Sequence, residues 1–493
     1  MKHDLHNSGL FAHVIEAVDT NINAQTPNFR NKVATGGGKT AIESHTLRLH
    51  PEGLAHEDFR VHVVLAPRIQ LSNQLAKEYR NYIGYGYVAL MLHSGRHEVD
   101  YERVSFNETA TTRKDVVMQY IEQCKQLGKH LVIFSTYHSF HKVNELNLDM
   151  LGILIADESQ YCVSKEYFSE IVANTARSKQ FYTATEKHVT TTNLGRGLNN
   201  ETVFGPLIVE KNPQELIDKG IIVKPRMHIM KAKTAVNSKS TIIDEVIESA
   251  LEQHKLTMQS GMPGSKILFS MSGTREIGEI TKNISKIKAA MPDHTIFTIV
   301  SNEKYGTMID GKKTYIVNEA GQQYENKISR KKFFSEISSC KNALVFHYDI
   351  ISEGIDIDGF TGVVLKRNLN LSKLLQTIGR ALRKYKANPA LKPHAWVTVN
   401  VIDGDEENEA WVKDVLQRMR DGGYLIHDIE FTDNDTGGDD DGDPEDMINP
   451  DAKKSLQSKI QDILHEIEDG QYWKEWSKLS VLEKLALTKP LTQ

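Results

Sequence analysis

Cysteine is scarce: Cys124, Cys162 and Cys340 are the only three in 493 residues. They lie far apart, which excludes a disulfide framework and a paired-cysteine zinc site and fits a reducing compartment. Long apolar runs are missing too. None is long enough to span a bilayer, and the opening MKHDLHNSGLFAHVIEAVDT has no apolar core of a secretory signal. A bulk excess of positive charge is also lacking, since the formal net charge is −5. That total conceals a division. Residues from 431 onward carry 15 acidic side chains against 7 lysines, whereas the first 430 carry 53 basic and 50 acidic ones. The acidity therefore sits in the tail, and the body can still present a basic groove. No internal repeat of solenoid period is found.

With 493 residues and 39% hydrophobic side chains, the chain exceeds one ordinary core, so two or more domains are expected. VHVVLA (61–66), YVALML (87–92), LVIFS (131–135), LGILIAD (151–157) and KQFYTAT (179–185) read as buried strands, with helices at 69–82, 113–127 and 165–175. Strands alternating with helices indicate a parallel α/β sheet whose ligands sit at the strands' carboxyl ends. The pattern restarts near residue 226, with strands in PRMHIMK, KILFS, HTIFTIV, ALVFHY, TGVVLK and AWVTVNV. Helices are expected there at 241–258, 273–289, 330–338, 371–384 and 405–421, and a hairpin inserted at 301–325. The parse is a first domain over 1–215, a second over 216–430, an acidic linker over 431–450 and a helical tail over 451–493. The linker contains TDNDTGGDDDGDPED, a composition that stays solvated or competes with a polyanion for a basic groove.

Three stretches carry chemistry. In VATGGGKT, three glycines let backbone N–H groups approach phosphate oxygens, Lys39 can reach them, and the Thr40 hydroxyl can ligate Mg²⁺. The general phosphate-loop pattern wants glycine six residues before that lysine, and Val33 stands there, so a plain glycine turn remains open for this stretch alone. LGILIADESQ is an apolar strand that delivers Asp157 and Glu158 at its tip, which is costly without a nearby cation. Asp157 suits Mg²⁺ and Glu158 suits the activation of water, while a helix-capping aspartate is the alternative. LLQTIGRALRKY places Gln376, Arg380 and Arg383 on one helix, where the arginines can meet developing phosphate charge or form a solvated basic face.

In that order, and divided between two α/β units, these stretches resemble superfamily 2 helicases over about residues 10–400. ATGGGKT resembles motif I, VVLAPRIQLSNQ motif Ia, DESQ motif II and TAT (183–185) motif III. ILFSMSG is similar to motif IV, SEGIDI to motif V and QTIGRALRKY to motif VI, and STYHSF to the Thr-Tyr motif that touches nucleic-acid backbone. FGPLIVEKNPQELIDKGIIVKP and LLQTIGRALRK look most like phage recombination helicases of the UvsW type and their XPB and restriction-motor relatives.

The resemblance implies an α/β fold of two tandem RecA-like parallel-sheet domains with a small C-terminal helical appendage. It implies ATP and Mg²⁺ as cofactors. Thr35, Gly36, Gly37, Gly38, Lys39 and Thr40 would hold ATP, Thr40 and Asp157 the Mg²⁺, and Gly354 and Asp356 would add contacts from the second domain. Lys39, Asp157, Glu158, Gln376, Arg380 and Arg383 would carry catalysis, and Thr183 and Thr185 would couple the domains. Pro67, Arg68, Thr136 and Ser270 would line the nucleic-acid track. The implied function is an ATP-dependent DNA helicase or translocase acting on single-stranded or branched DNA in a bacterial or phage-infected cytoplasm. A duplex translocase that does not unwind, an RNA helicase and a non-catalytic scaffold are the alternatives. The acidic linker and tail helices would offer a surface to a protein partner, and no membrane association is expected. Two departures stand out: Ser159-Gln160 follow Asp157-Glu158, and FAHVIEAV ahead of the loop has no glutamine to read adenine.

Overall fold

A computed structural model describes residues 9–94, 110–189, 194–231, 242–300, 307–313, 315–316, 327–328, 330–348, 357–401, 406–426, 429–433, 462–465 and 467. The first lobe is built on β1 (Asn28–Val33), β2 (Val61–Ala66), β3 (Val88–Leu92), β4 (Ala110–Thr111), β5 (Leu131–Thr136), β6 (Leu151–Asp157), β7 (Ser178–Thr183) and β8 (Leu207–Lys211). They form one sheet in the order β4-β3-β5-β2-β6-β7-β1-β8. Every pairing is parallel. Buried on both faces, the strands β3, β5, β2 and β6 are almost continuously apolar, as a helix-covered parallel sheet requires.

The second lobe holds β9 (Lys224–Lys231), β10 (Lys266–Ser270), β11 (Thr295–Ile299), β12 (Met308–Ile309) and β13 (Lys312–Lys313). A separate short pair, β14 (Tyr315–Ile316) and β15 (Lys327–Ile328), precedes β16 (Ala343–His347), β17 (Gly362–Leu365), β18 (His394–Val401) and β19 (Ile429–Asp433). The main sheet runs β13-β12-β11-β16-β10-β17-β18-β9-β19. Only the β11–β12 and β12–β13 pairings are antiparallel, which places the expected inserted hairpin at the sheet edge, turning at Asp310-Gly311. The architecture is thus two tandem parallel-sheet α/β lobes of the RecA-like kind.

The strand that feeds the glycine loop, β1, is absent from the hydropathy pattern because NFRNKV carries two cations. The structure neutralises both. Arg30 bonds Glu186 at 2.6 Å, Glu201 at 3.2 Å and the Gly205 carbonyl at 2.9 Å, and Lys32 meets Glu210 at 2.8 Å. The helix expected over 273–289 is two, Thr274–Lys282 and Ile284–Ala290. Between them the Asn283 side chain donates to the Glu279 carbonyl at 2.9 Å, competing with its own backbone N–H, which reaches the same oxygen at 3.2 Å. The helix expected over 371–384 ends at Ala381, whose carbonyl accepts from Lys392 instead of from the next turn.

The expected boundary at 215/216 falls inside the helix Pro213–Asp218, which Asn212 caps by accepting from Glu215 N at 2.8 Å. The boundary at 430/431 falls inside β19, which pairs with β9. Most of the acidic linker lies outside the described residues. Of the tail, Leu464 and Ile467 join the second lobe's core, so that short segment packs on the body. Ala34, from the glycine loop, belongs to the same cluster, as do Leu216 and Ile222 from the connection. The two lobes therefore share a continuous apolar contact. Among the described residues no helix is long and apolar enough to cross a membrane.

Four buried imidazoles make stability depend on pH. Burial holds His62 well below its ordinary value, and lowers His45, His228 and His294 to about 4. Each folds neutral, whereas the unfolded chain takes up protons below about pH 6.5. The unfolded state then binds more protons, so stability falls as pH falls through that window. The urea midpoint is expected to decline steadily between about pH 7 and about pH 5. A midpoint that stays flat there would show that these imidazoles are protonated in the folded protein.

Candidate active site at the lobe junction

Parallel pairing brings the carboxyl ends of β1, β7 and β6 side by side, with Lys32 opposite Thr183 and Tyr182 opposite Asp157. The glycine loop, Thr183 and the Asp157-Glu158 pair consequently meet at one edge. Gly36 and Gly38 have φ of +87° and +82°, backbone that favours glycine. A side chain on Gly37 would strike the Ala34 carbonyl, Val33 and Leu216, each 2.9 Å from its Cβ position. Lys39 begins the helix Lys39–Leu49, and its Nζ lies 2.7 Å from Asp157 Oδ1 and 2.7 Å from Glu158 Oε1. Glu158 sits in left-handed backbone, φ +51°, which turns its carboxylate towards that ammonium.

The electrostatics follow from one cation among acids in a buried place. Burial opposes the Lys39 charge, but Asp157, Glu158 and Glu43 outweigh it and the ammonium is held firmly protonated. Burial would raise Glu158; Lys39, a hydrogen bond from Gln160 and the Arg380 charge hold it below the usual carboxylate range. Asp157 is kept above that range by burial and by Glu158, against the pull of Lys39.

Gln160 works within the first lobe rather than across the cleft. Its Nε2 donates to Glu158 Oε2 at 2.8 Å, and its Oε1 accepts from Thr183 Oγ1 at 2.7 Å. Thr183 in turn accepts from Thr185 N at 3.0 Å. The reach across the cleft belongs to Gln376, whose Nε2 donates to the same Glu158 oxygen at 3.3 Å. Arg380 is buried one turn further along that helix, close enough for its charge to act on Glu158. Arg383 pairs through its backbone with Ile222, whose side chain lies against Gly36.

Four groups escaped the sequence reading. His13 Nε2 donates to the Gly37 carbonyl at 2.9 Å, tying the helix Ala12–Ile22 to the loop. Tyr137 donates to the Asp157 carbonyl at 2.7 Å. Glu43 is fully buried one turn after Lys39, accepts from Tyr79 at 3.3 Å, and is pushed well above the usual carboxylate range by burial and Asp157. Only the last left a signal, a charge on the inner face of a helix. The fourth is Gly379, whose Cβ position lies 2.5 Å from Thr35 Cγ2, so the second lobe's helix touches the loop where no side chain intervenes.

The remaining expected residues are placed as follows. Thr40 is half-buried beside Lys39. Among the described residues no cluster of three acidic, His or Cys side chains could hold a metal alone, so a Thr40–Asp157 pair would need oxygens from a nucleotide and water to complete the shell of a hard divalent cation. Arg68 is exposed and Pro67 half-buried at the carboxyl end of β2. Thr136 and Ser270 do not present themselves to a nucleic acid. Thr136 is buried and its hydroxyl accepts from Ser139 N at 3.3 Å as a helix cap, and Ser270 is wholly buried at the end of β10 beside Arg367. Gly354 and Asp356 lie outside the described residues.

Residues 11–188 match the family model of the type III restriction enzyme res subunit. That match falls within the first lobe of this chain. Its fold is similar to the type ISP restriction-modification enzyme LlaBIII bound to DNA, with a TM-score of 0.63 and 13% identity over 87% of this chain and 32% of that one. It is similar to LlaGI, of the same type, with a TM-score of 0.56 and 16% identity over 86% and 30%. The chain thus spans about a third of the length of those enzymes. The DEAD-box helicase Mss116 bound to single-stranded RNA gives a TM-score of 0.53 and 15% identity over 95% of this chain and 85% of that one. No curated protein sequence matches.

The Gly379 contact generates a prediction. Gly379→Ala puts a methyl against Thr35 and should destabilise the contact between the lobes by roughly 1–3 kcal/mol. Small-angle scattering should show a larger radius of gyration. An unchanged radius and an unchanged melting temperature would mean that the lobes are not held by this contact.

Proposed function

We propose that this chain is a nucleic-acid-stimulated ATPase that moves along or remodels DNA. The observation that carries the reading is that one carboxylate, Glu158, is held by Lys39 and Gln160 of the first lobe and by Gln376 of the second. Such a group senses whether the lobes are together.

A triphosphate entering between the lobes offers Lys39 a stronger anion than either carboxylate. The ammonium transfers to it, and Glu158 is freed to accept a proton from water while Gln160 and Gln376 fix its direction. Arg380 and Arg383 supply positive charge where it builds up on the phosphate in the transition state. Glycine-loop N–H groups cradle the phosphates. Thr40 and Asp157 would hold Mg²⁺, which supplies charge neutralisation when bound. Loss of the γ-phosphate removes what the two lobes jointly grip, and the cleft opens.

DNA is favoured as the track because the matched family model is that of a restriction enzyme subunit and the restriction-modification enzymes of similar fold are bound to DNA or a DNA mimic. Arg68, exposed at the strand ends, is placed to meet backbone phosphate, a contact without sequence code. Work on forked or branched DNA in a bacterial or phage-infected cytoplasm rests on the resemblance to phage recombination helicases.

ATP hydrolysis measured against single-stranded, duplex, forked and four-way DNA, and against RNA, tests this directly. Stimulation by DNA is expected, falling with salt; indifference to every polymer would remove the motor, and stimulation by RNA alone would reassign the track. Glu158→Gln should keep nucleotide binding and lower turnover by about a hundredfold or more. Lys39→Ala should abolish binding. Full turnover by the Glu158 variant would show that another group activates the water.

A further inference from the structure

Beyond the phosphate site, the second lobe buries two lysines that no part of the proposed chemistry uses. Lys392 is 2% exposed, and its Nζ donates to three backbone carbonyls: Phe360 O at 2.5 Å, Arg383 O at 2.6 Å, and Ala381 O. Tyr385 lies beneath it, its ring centroid 5.6 Å from the ammonium. Lys266 stands on the other side of the same loop, donating to Asp358 O at 2.8 Å and Ser338 O at 3.0 Å. Gly359, between the residues those lysines hold, has φ of +87°, and a Cβ there would lie 3.2 Å from Lys266 Nζ.

These acceptors belong to two segments. Phe360 ends the short loop that leads into β17. Ala381 and Arg383 flank the point where the helix bearing Gln376 and Arg380 stops. The last carbonyls of a helix have no partner of their own, and here an ammonium supplies one. We propose that Lys392 is a positioning residue for the arginines: its tripod of hydrogen bonds locks the end of the helix Leu371–Ala381 to the loop Asp358–Phe360, and so fixes where Arg380 and Arg383 point. This rests on reading those arginines as the charge-stabilising groups of the ATP site.

Three acceptors require three donors. An ammonium has three, and a neutral amine has two. The lock therefore needs the proton. Burial lowers Lys392 to about 7, with Arg383 and Lys266 adding to the fall and Asp358 opposing it. Tyr385 is itself pushed up to about 12, so it stays neutral throughout. As pH rises through this range Lys392 loses its proton, one carbonyl loses its donor, and the arginines lose their fixed place.

Lys392→Met and Lys392→Arg, in the full chain, test the lock. In Lys392→Met, kcat for ATP should fall about tenfold or more with KM little changed, since the loss is of alignment and not of binding. Hydrogen exchange at fixed pH should quicken in the peptide covering 375–386 and not around the glycine loop. Lys392→Arg keeps the charge but its planar fork cannot form the tripod, so kcat should be intermediate. The decline of kcat that begins near pH 7 in the wild type should move upward in this variant, because guanidinium does not deprotonate there and Lys266, lowered by burial to about 8, is the next lysine of this loop to lose its proton. If Lys392→Met does not fold, Lys392→Arg decides alone. Retention of the wild-type alkaline decline by Lys392→Arg, or unchanged exchange in 375–386, would overturn the inference. If no nucleic acid stimulates hydrolysis, the functional reading fails, and the exchange measurement still decides the lock.

Discussion

The site is organised by a shortage of positive charge. One ammonium, Lys39, sits among three carboxyl groups, the buried Asp157 and the partly buried Glu158 each at 2.7 Å and the buried Glu43 one helical turn away. A buried pair gains from its attraction but surrenders hydration, and an uncompensated buried carboxylate is worse still. Lys39 cannot satisfy all three. Burial pushes Glu43 well above the usual carboxylate range and raises Asp157, whereas Lys39 holds Glu158 below it. Such a cluster is poised to exchange its cation for another arrangement of charges, which is what the entry of a polyphosphate would bring.

The second lobe completes this cluster from outside. Gln376 reaches the Glu158 carboxylate, and Arg380 is buried within range of it. The approach is possible because Gly379 has no side chain where the helix crosses Thr35. Polar reach and apolar contact support each other: Ala34 of the loop, Leu216 and Ile222 of the connection, and the second lobe's core form one cluster.

Much of the polar scaffolding lies one layer behind. Gln160 and Thr183 brace Glu158 from below, Tyr137 holds the Asp157 carbonyl, and His13 holds the loop at Gly37. Lys392 does the same for the far end of the helix that carries Arg380. Each replaces a backbone or carboxylate bond that would otherwise go to water. Substituting Ser159-Gln160 after the acidic pair thus leaves the first lobe internally connected, with the inter-lobe bond transferred to Gln376.

Sequence alone determined the two α/β lobes, because buried parallel strands leave apolar runs that hydropathy detects. It also singled out Lys39, Asp157, Glu158, Gln376, Arg380 and Arg383, which the fold brings towards one junction, because such residues stand at short spacings on a loop, a strand tip and a helix. It could not reveal β1, whose Arg30 and Lys32 are neutralised by glutamates as far away as Glu186, Glu201 and Glu210. Nor could it reveal that Thr136 and Ser270 face inward, which depends on the partners that cap or cover them. His13, Gly379 and Lys392 were equally hidden. Their importance comes from a carbonyl, a threonine methyl or a helix end that the chain brings near only on folding, and no local pattern of residues encodes such a meeting.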